Sequence, residues 1–255
     1  MSDIASPSGS PSLDGRRLLV TGASSGIGRS TAIAAAGAGA SVAIAARSTG
    51  ALHEVAAEIG APDRTLVVPL DVTDPGACAS AASTIGETWG GLDALVNSAG
   101  LVRPGGMLEI EPTDWAAMFD VNVTGLLNIT AAVAPMLQES GSSAVADVVN
   151  VSSMSGRRRA SVALGIYAAS KHAVHVISDN LRDEFDGAVR VTIVSPGFVD
   201  TPIFDAVGGE AGETYRASVK EKGLDAFDVA DRIVDALAQP PGVNLFEIAI
   251  MSTSQ

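Results

Sequence analysis

The stretch Val20-Thr21-Gly22-Ala23-Ser24-Ser25-Gly26-Ile27-Gly28 constrains this chain more than any other. It follows the apolar run Leu18-Leu19-Val20 and opens a segment without a breaker until Gly37, which predicts a buried strand, a tight glycine turn and a helix start. Gly22, Gly26 and Gly28 lack Cβ atoms, so the backbone can bend sharply and approach a pyrophosphate. The charge of that group would meet the free N–H groups at the positive end of the new helix. Gly-x-x-x-Gly-x-Gly is a different spacing from the common Gly-x-Gly-x-x-Gly dinucleotide fingerprint.

Beyond the turn, apolar strands and helical segments alternate. Ile27 to Ala38 reads as a helix, Ser41 to Ala46 as a strand, Leu52 to Ile59 as a helix and Thr65 to Leu70 as a strand. A helix from Pro75 to Trp89 and a strand at Ala94 to Val96 follow. A long helix from Thr113 to Leu137 leads to the strand Val145 to Val151, and another from Ile166 to Phe185 leads to the strand Val189 to Val194. After the amphipathic helix Phe227 to Ala238, the strand Leu245 to Met251 brings the sheet to seven. The expected fold is α/β, a doubly wound Rossmann-type, mostly parallel sheet with helices on both faces. With 47% hydrophobic and 18% charged residues, 255 residues can bury one sizeable core, so residues 14–255 are expected to form one Rossmann-type domain. Residues 1–13, rich in Ser, Pro and Gly, read as a disordered tail with no signal or anchor pattern.

The formal net charge of −13 argues against nucleic acid or an anionic membrane as partner, since both would be repelled. The uncharged run Ser30 to Ala46 is broken by Gly37 and Gly39 and falls short of the roughly 20 residues of a bilayer span. The one cysteine, Cys78, leaves no internal disulfide or cysteine metal cluster, which fits a reducing, cytoplasmic setting.

Polar residues collect at the strand exits: Thr21 to Gly28, Ala46-Arg47-Ser48, Asp71-Val72, Asn97 to Gly100, Ser152-Ser153 and Ser195-Pro196-Gly197. Ligands of such sheets bind outside the carboxyl ends of the strands, so one crevice should join these groups. Residues 202–223, weakly periodic and rich in Gly, Glu and Lys, read as a mobile cover over it.

With those motifs in place, the chain after Leu13 resembles the short-chain dehydrogenases/reductases, in the single-domain subgroup of about 250 residues. Thr21-Gly22-x-x-x-Gly26-Ile27-Gly28, with Ser24 and Ser25, resembles the family's cofactor turn, Asp71-Val72 its adenine contact, and Asn97-Ser98-Ala99-Gly100 its fourth-strand motif, with Ser98 in place of the usual Asn. Pro196-Gly197-Phe198-Val199-Asp200-Thr201 is similar to the segment that holds the nicotinamide carboxamide. Asn122, Ser153, Tyr167 and Lys171 match the catalytic group. The resemblance implies that Lys171 also binds the nicotinamide ribose and that Asn122 holds a water linking Lys171 to solvent. It also implies a homotetramer in which the two long helices pair across a two-fold axis. The ending Asn244 to Gln255 is similar to that of bacterial members that reduce hydroxy-acid and β-lactam-derived aldehyde substrates.

Tyr167 and Lys171, four apart on a helix, share a face, and a cation beside a phenol should draw its pKa down from about 10 toward the operating pH. Tyr167 would then serve as general acid or base while Ser153 hydrogen-bonds the developing oxyanion. Ser152 points to the opposite face from Ser153. At the end of the second strand no acidic residue awaits an adenosine ribose hydroxyl. Ala46 leaves room for a 2′-phosphate that Arg47 and Ser48 can bind, so the expected cofactor is NADP(H).

Arg157-Arg158-Arg159 reads either as a solvated run or as the grip on a substrate carboxylate. His172 and His175 read as surface or subunit-contact residues, with no metal site. Met107, Met118 and Met136 read as core, and Met154 as core or pocket lining. The leading expectation is an oxidoreductase acting on a carbonyl or secondary alcohol. The alternative is a dinucleotide-sensing protein without catalysis on the same fold, which typically loses the tyrosine or lysine retained here.

Overall fold

In the computed structural model, residues 11–158, 160–205 and 207–255 are described. The expected tail lies outside them through residue 10, but its end is built into the core. Leu13 is 1% exposed and its N–H donates to the Ala38 carbonyl at 2.8 Å, so this residue belongs to the core and not to the expected tail.

Seven strands form one sheet in the order β3-β2-β1-β4-β5-β6-β7, and every neighbouring pair is parallel. They are β1 (Arg17–Thr21), β2 (Ser41–Ala46), β3 (Thr65–Pro69), β4 (Ala94–Asn97), β5 (Ala146–Val151), β6 (Val189–Pro196) and β7 (Glu247–Ile250). Successive residues face opposite sides, so both faces need apolar cover. Leu18 and Val20 of β1 pack beneath α1 (Gly26–Gly37), α2 (Thr49–Ile59) and α8 (Ala226–Leu237). Leu19 packs on the other face with α3 (Pro75–Trp89), α5 (Leu126–Ser143) and α6 (Gly165–Phe185). Local chemistry fixes the helix starts. Asp74 Oδ1 accepts from the N–H groups of Gly76 and Ala77 ahead of Pro75, and Asp225 and Asp228 form a capping box at α8.

Two expected elements are corrected. The helix from Thr113 to Leu137 is α4 (Pro112–Phe119) and α5 joined by one π-helical turn, Asp120–Gly125. By length and composition Pro112–Gly141 could cross a membrane, yet Met118, Ile129, Val133 and Leu137 are fully buried in the protein, as in the core helix of a layered fold. The cover 202–223 is also more regular than its weak periodicity predicts, with a 3-10 turn at Pro202–Phe204 followed by α7 (Gly209–Lys222). Phe204 and Val219 are buried beside Val102 and Leu164, and the Phe204 and Tyr215 rings stack at 4.9 Å. A few apolar groups suffice to seat this helix because it covers a loop cluster instead of the sheet.

Candidate active site

The strand order reverses between β1 and β4, and above that point the strand ends frame a cavity of about 1160 Å³. Ordinary small-ligand pockets hold roughly 300–1,000 Å³, so this one suits a dinucleotide-sized ligand with a second molecule beside it.

The glycine turn forms one wall. Gly22 has φ +66° and Gly26 φ +53°, and both line the cavity with Ser24, Ser25 and Ile27. A Cβ on Gly22 would lie 2.8 Å from the backbone nitrogen of Ala99, so no other residue fits there. Gly28 is not on the wall. A Cβ there would come within 2.4 Å of the Gly22 carbonyl, so its role is to let α1 start tightly against the turn. Ser25 caps α1 without a side-chain hydrogen bond and no acidic residue occupies the first turn, which leaves the helix start suited to an anionic group. Thr21 Oγ1 accepts from the backbone N–H groups of Ser98 and Ala99 at 3.1 and 3.2 Å. That contact uses only the backbone of Ser98, so Ser98 in place of Asn is silent in it.

At the far end lie Ala46, Arg47, Ser48, Asp71, Val72 and Thr73. Ser48 Oγ accepts from Ala51 N at 3.4 Å as the cap of α2, and its own O–H remains free to donate. Asp71 accepts from Thr73 N and Oγ1 at 3.0 and 2.8 Å. These bonds, and in smaller part the charge of Arg47, hold its carboxyl below the usual carboxylate range.

Ser153, Tyr167 and Lys171 meet at the other end, with Ala99 and Gly100 between the two halves and Pro196, Gly197, Val199 and Thr201 on the remaining wall. Ser153 is extended at the end of β5 and its Oγ accepts from Ser155 N at 3.1 Å. Ser152 faces the other way, donating to the backbone carbonyl of Lys171 at 3.2 Å. Lys171 lies on α6 with its Nζ 5.9 Å from the Tyr167 ring centroid, donating to the Val151 carbonyl at 2.8 Å. The expectation that this cation lowers the phenol's pKa is not met. Burial raises Tyr167 to about 12, opposed by a hydrogen bond with Ser153, and burial lowers Lys171 to about 8. Lys171 is buried and Tyr167 half-buried on the cavity wall, and the ammonium is turned toward a backbone carbonyl.

Two expected site residues work from behind the wall. Asn122, in the π-turn, accepts from Leu101 N at 2.7 Å and donates to Leu101 O at 2.9 Å and Ser170 Oγ at 3.0 Å. Its side chain thus joins the loop after β4 to α6 and leaves its amide groups committed to protein partners. Asn97 is buried beneath the cavity and donates to Thr130 Oγ1 and Asn150 Oδ1, a bridge between β4, α5 and β5 and not a lining residue.

The arginine run divides. Arg157 pairs with Glu247 of β7 at 2.9 Å, Arg158 lines the cavity, and Arg159 lies outside the described residues. His175 is half-buried in the same network. Its Nε2 lies 3.4 Å from Ser195 Oγ and its Nδ1 3.8 Å from Glu247 Oε1, and burial holds its pKa below the ordinary histidine value. His172 is exposed. Met154 lines the cavity, whereas Met107, expected in the core, is 52% exposed. Sequence reasoning missed Arg103, Tyr215 and Gln255, all on the lining. The Gln255 side chain accepts from Phe198 N at 2.8 Å and donates to Phe198 O at 3.0 Å and Lys222 O at 2.8 Å, a connection with no local sequence signal. Among the described residues, no cluster of three or more His, Cys, Asp or Glu could hold a metal.

Residues 16–211 match the family model described as short chain dehydrogenase. Over 233 residues the chain is 36% identical to an uncharacterised oxidoreductase of Staphylococcus aureus (strain N315), which spans 91% of this chain and 95% of that one. A short chain dehydrogenase/reductase from Burkholderia phymatum in complex with NAD is similar at TM-score 0.84 and 30% identity, covering 92% of this chain and 89% of that one. The closed form of a serine dehydrogenase complexed with NADP+ is similar at TM-score 0.84 and 30% identity, covering 94% and 96%.

Proposed function

The chain belongs to the short chain dehydrogenase family and is an oxidoreductase of it, and from that premise we propose that it transfers hydride between NADP(H) and a carbonyl or secondary alcohol. The observation that carries this reading is the convergence of Ser153, Tyr167 and Lys171 on the cavity that also holds the glycine turn and the Arg47-Ser48 strand end. When bound, the nicotinamide supplies the hydride donor or acceptor. The protein's residues handle the proton and the charge. Tyr167 keeps its proton at neutral pH and gives it to the substrate oxygen in reduction, while Ser153 hydrogen-bonds that oxygen as charge develops. Lys171 on α6 would hold the ribose hydroxyls, and the Pro196 to Thr201 segment, with Gly197 and Val199 on the wall, would receive the carboxamide.

The coenzyme choice rests on the end of β2. One similar structure holds NAD and another NADP+, so likeness does not decide it. Arg47 and Ser48 offer a guanidinium and a free hydroxyl beside Ala46, with no carboxylate on that strand end to take a ribose 2′-hydroxyl.

The protein is proposed to be cytoplasmic, in keeping with its one cysteine, and to act as a homotetramer, because Phe119 of α4, Leu127 of α5 and Val176 of α6 leave these helices apolar on the outside. A panel of ketones and aldehydes, followed by loss of NADPH absorbance, tests the activity. Turnover of at least one member supports the reading, and inertness across the panel in both directions overturns it.

A further inference from the structure

We propose that the substrate carries a carboxylate and that Arg158 holds it. This inference rests on the hydride-transfer reading above and names the class of molecule that the inner cavity accepts. The three consecutive arginines sit between Ser153 and Tyr167, and the structure separates the two that are described, Arg157 and Arg158. Arg157 is spent on Glu247 at 2.9 Å, at the edge of the sheet. Arg158 follows Ser153 by five positions and lines the same cavity as Ser153 and Tyr167.

Its guanidinium has one contact among the described residues, the Met251 sulfur at 3.9 Å, and a thioether is a weak acceptor. Among the described residues no carboxylate lies within ion-pair distance of it. Arg103, which also lines the cavity, is engaged with the Val102 carbonyl at 3.2 Å and with Asp114 at 3.7 Å. Among the described residues Arg158 is therefore an exposed cation without a counter-charge, in a chain whose formal net charge is −13, on the wall of the cavity that Ser153 and Tyr167 also line.

A guanidinium presents its N–H donors in a planar fork that matches a carboxylate and leaves them poorly used beside a neutral ketone. One such group balances a single negative charge, whereas a phosphate dianion would be left half-neutralised. The neighbouring wall, Val102, Leu164 and Phe204, is apolar and suits the short carbon chain between an oxidised carbon and its acid group. Short oxo acids, and the hydroxy acids they interconvert with, meet these requirements.

The test measures kcat/KM with NADPH for three acid and methyl ester pairs: acetoacetate, levulinate and pyruvate against their esters. Wild-type protein should prefer the acid in at least one pair. Arg158→Met should reduce that acid-over-ester ratio about 10- to 100-fold, the size of one lost charge-assisted hydrogen bond, and Arg158→Lys should restore part of it. Arg103→Met should leave most of the preference in place. Wild-type protein that turns over esters as well as acids, or Arg158→Met with an unchanged ratio, overturns the carboxylate grip while leaving hydride transfer intact. Inertness toward every acid, ester and neutral carbonyl overturns the activity itself and this inference with it.

Discussion

Lys171 Nζ donates to the carbonyl oxygen of Val151 at 2.8 Å, which ties α6 to the end of β5 two residues before Ser153. Burial lowers this ammonium from 10.5 in the unfolded chain to about 8. Between those two values the unfolded chain holds a proton that the folded one has lost, so stability should rise with pH from about 8 toward 10.5. Below about 8 both states are protonated and the burial cost is present in full. The gain is on the order of 3 kcal/mol at most, from about 1.4 kcal/mol per pKa unit. Urea unfolding of wild type and Lys171→Met across this range checks it. The difference in stability between the two should change with pH in that direction, and a constant difference contradicts the burial of a titrating ammonium.

Gln255 supplies a second prediction. Its amide joins Phe198, within the proposed carboxamide segment, to Lys222 at the end of α7, so three hydrogen bonds couple the cover to the cavity wall. Gln255→Ala should speed NADPH release by several-fold with little change in melting temperature, because the bonds are exposed and each contributes about 1 kcal/mol or less. Stopped-flow displacement of NADPH measures this. An unchanged release rate shows that the cover moves independently of this link.

The strands and most helices were legible because their apolar runs end at Gly, Pro or a capping Asp, as at Gly60, Asp74-Pro75 and Gly90. That Gly22, Gly26, Ser153, Tyr167 and Lys171 would share one cavity was legible because ligand crevices of parallel sheets gather the residues at the carboxyl ends of the strands. What sequence missed depends on partners distant in the chain. Nothing local separates a π-turn from an α-turn at Asp120–Gly125, since the choice is made where Asn122 meets Leu101. Leu13 is a lone apolar residue in a polar stretch until Ala38 receives its N–H. Arg157 and Arg158 are identical in sequence terms and are sorted by Glu247, far along the chain. The direction of the Tyr167 shift was misjudged because helix spacing brings Lys171 near but says nothing of how deeply both groups are buried.

The coenzyme prediction concerns Arg47. Its exposed guanidinium is near enough to Asp71 to depress that carboxyl, so it already sits over the far end of the cavity. A 2′-phosphate would take it in a charge-assisted pair, and Arg47→Ala should cost about 10- to 100-fold in kcat/KM with NADPH and much less with NADH. Steady-state kinetics with both coenzymes decides the matter. Wild-type efficiency with NADH equal to or above that with NADPH contradicts this reading of the strand end.

The last prediction falls on Tyr167. Replacing it with Phe removes one oxygen and keeps the ring in its place against the Val102, Leu164 and Phe204 cluster, so the fold and the glycine turn should persist. The proton donor is lost, and general acid–base catalysis is worth about 10²–10⁴-fold, so turnover should fall by at least that factor while NADPH still binds, as read by its fluorescence. The pH profile gives an independent sign. Alcohol oxidation needs the phenolate, and with the pKa pushed up to about 12 that form is scarce at neutral pH and grows with each unit of rise. Wild-type kcat/KM for oxidation should therefore climb between about pH 7 and 9, by up to about tenfold per unit, and Tyr167→Phe should lose this dependence. Near-normal turnover by Tyr167→Phe, or the same climb in both proteins, would assign the proton to another group.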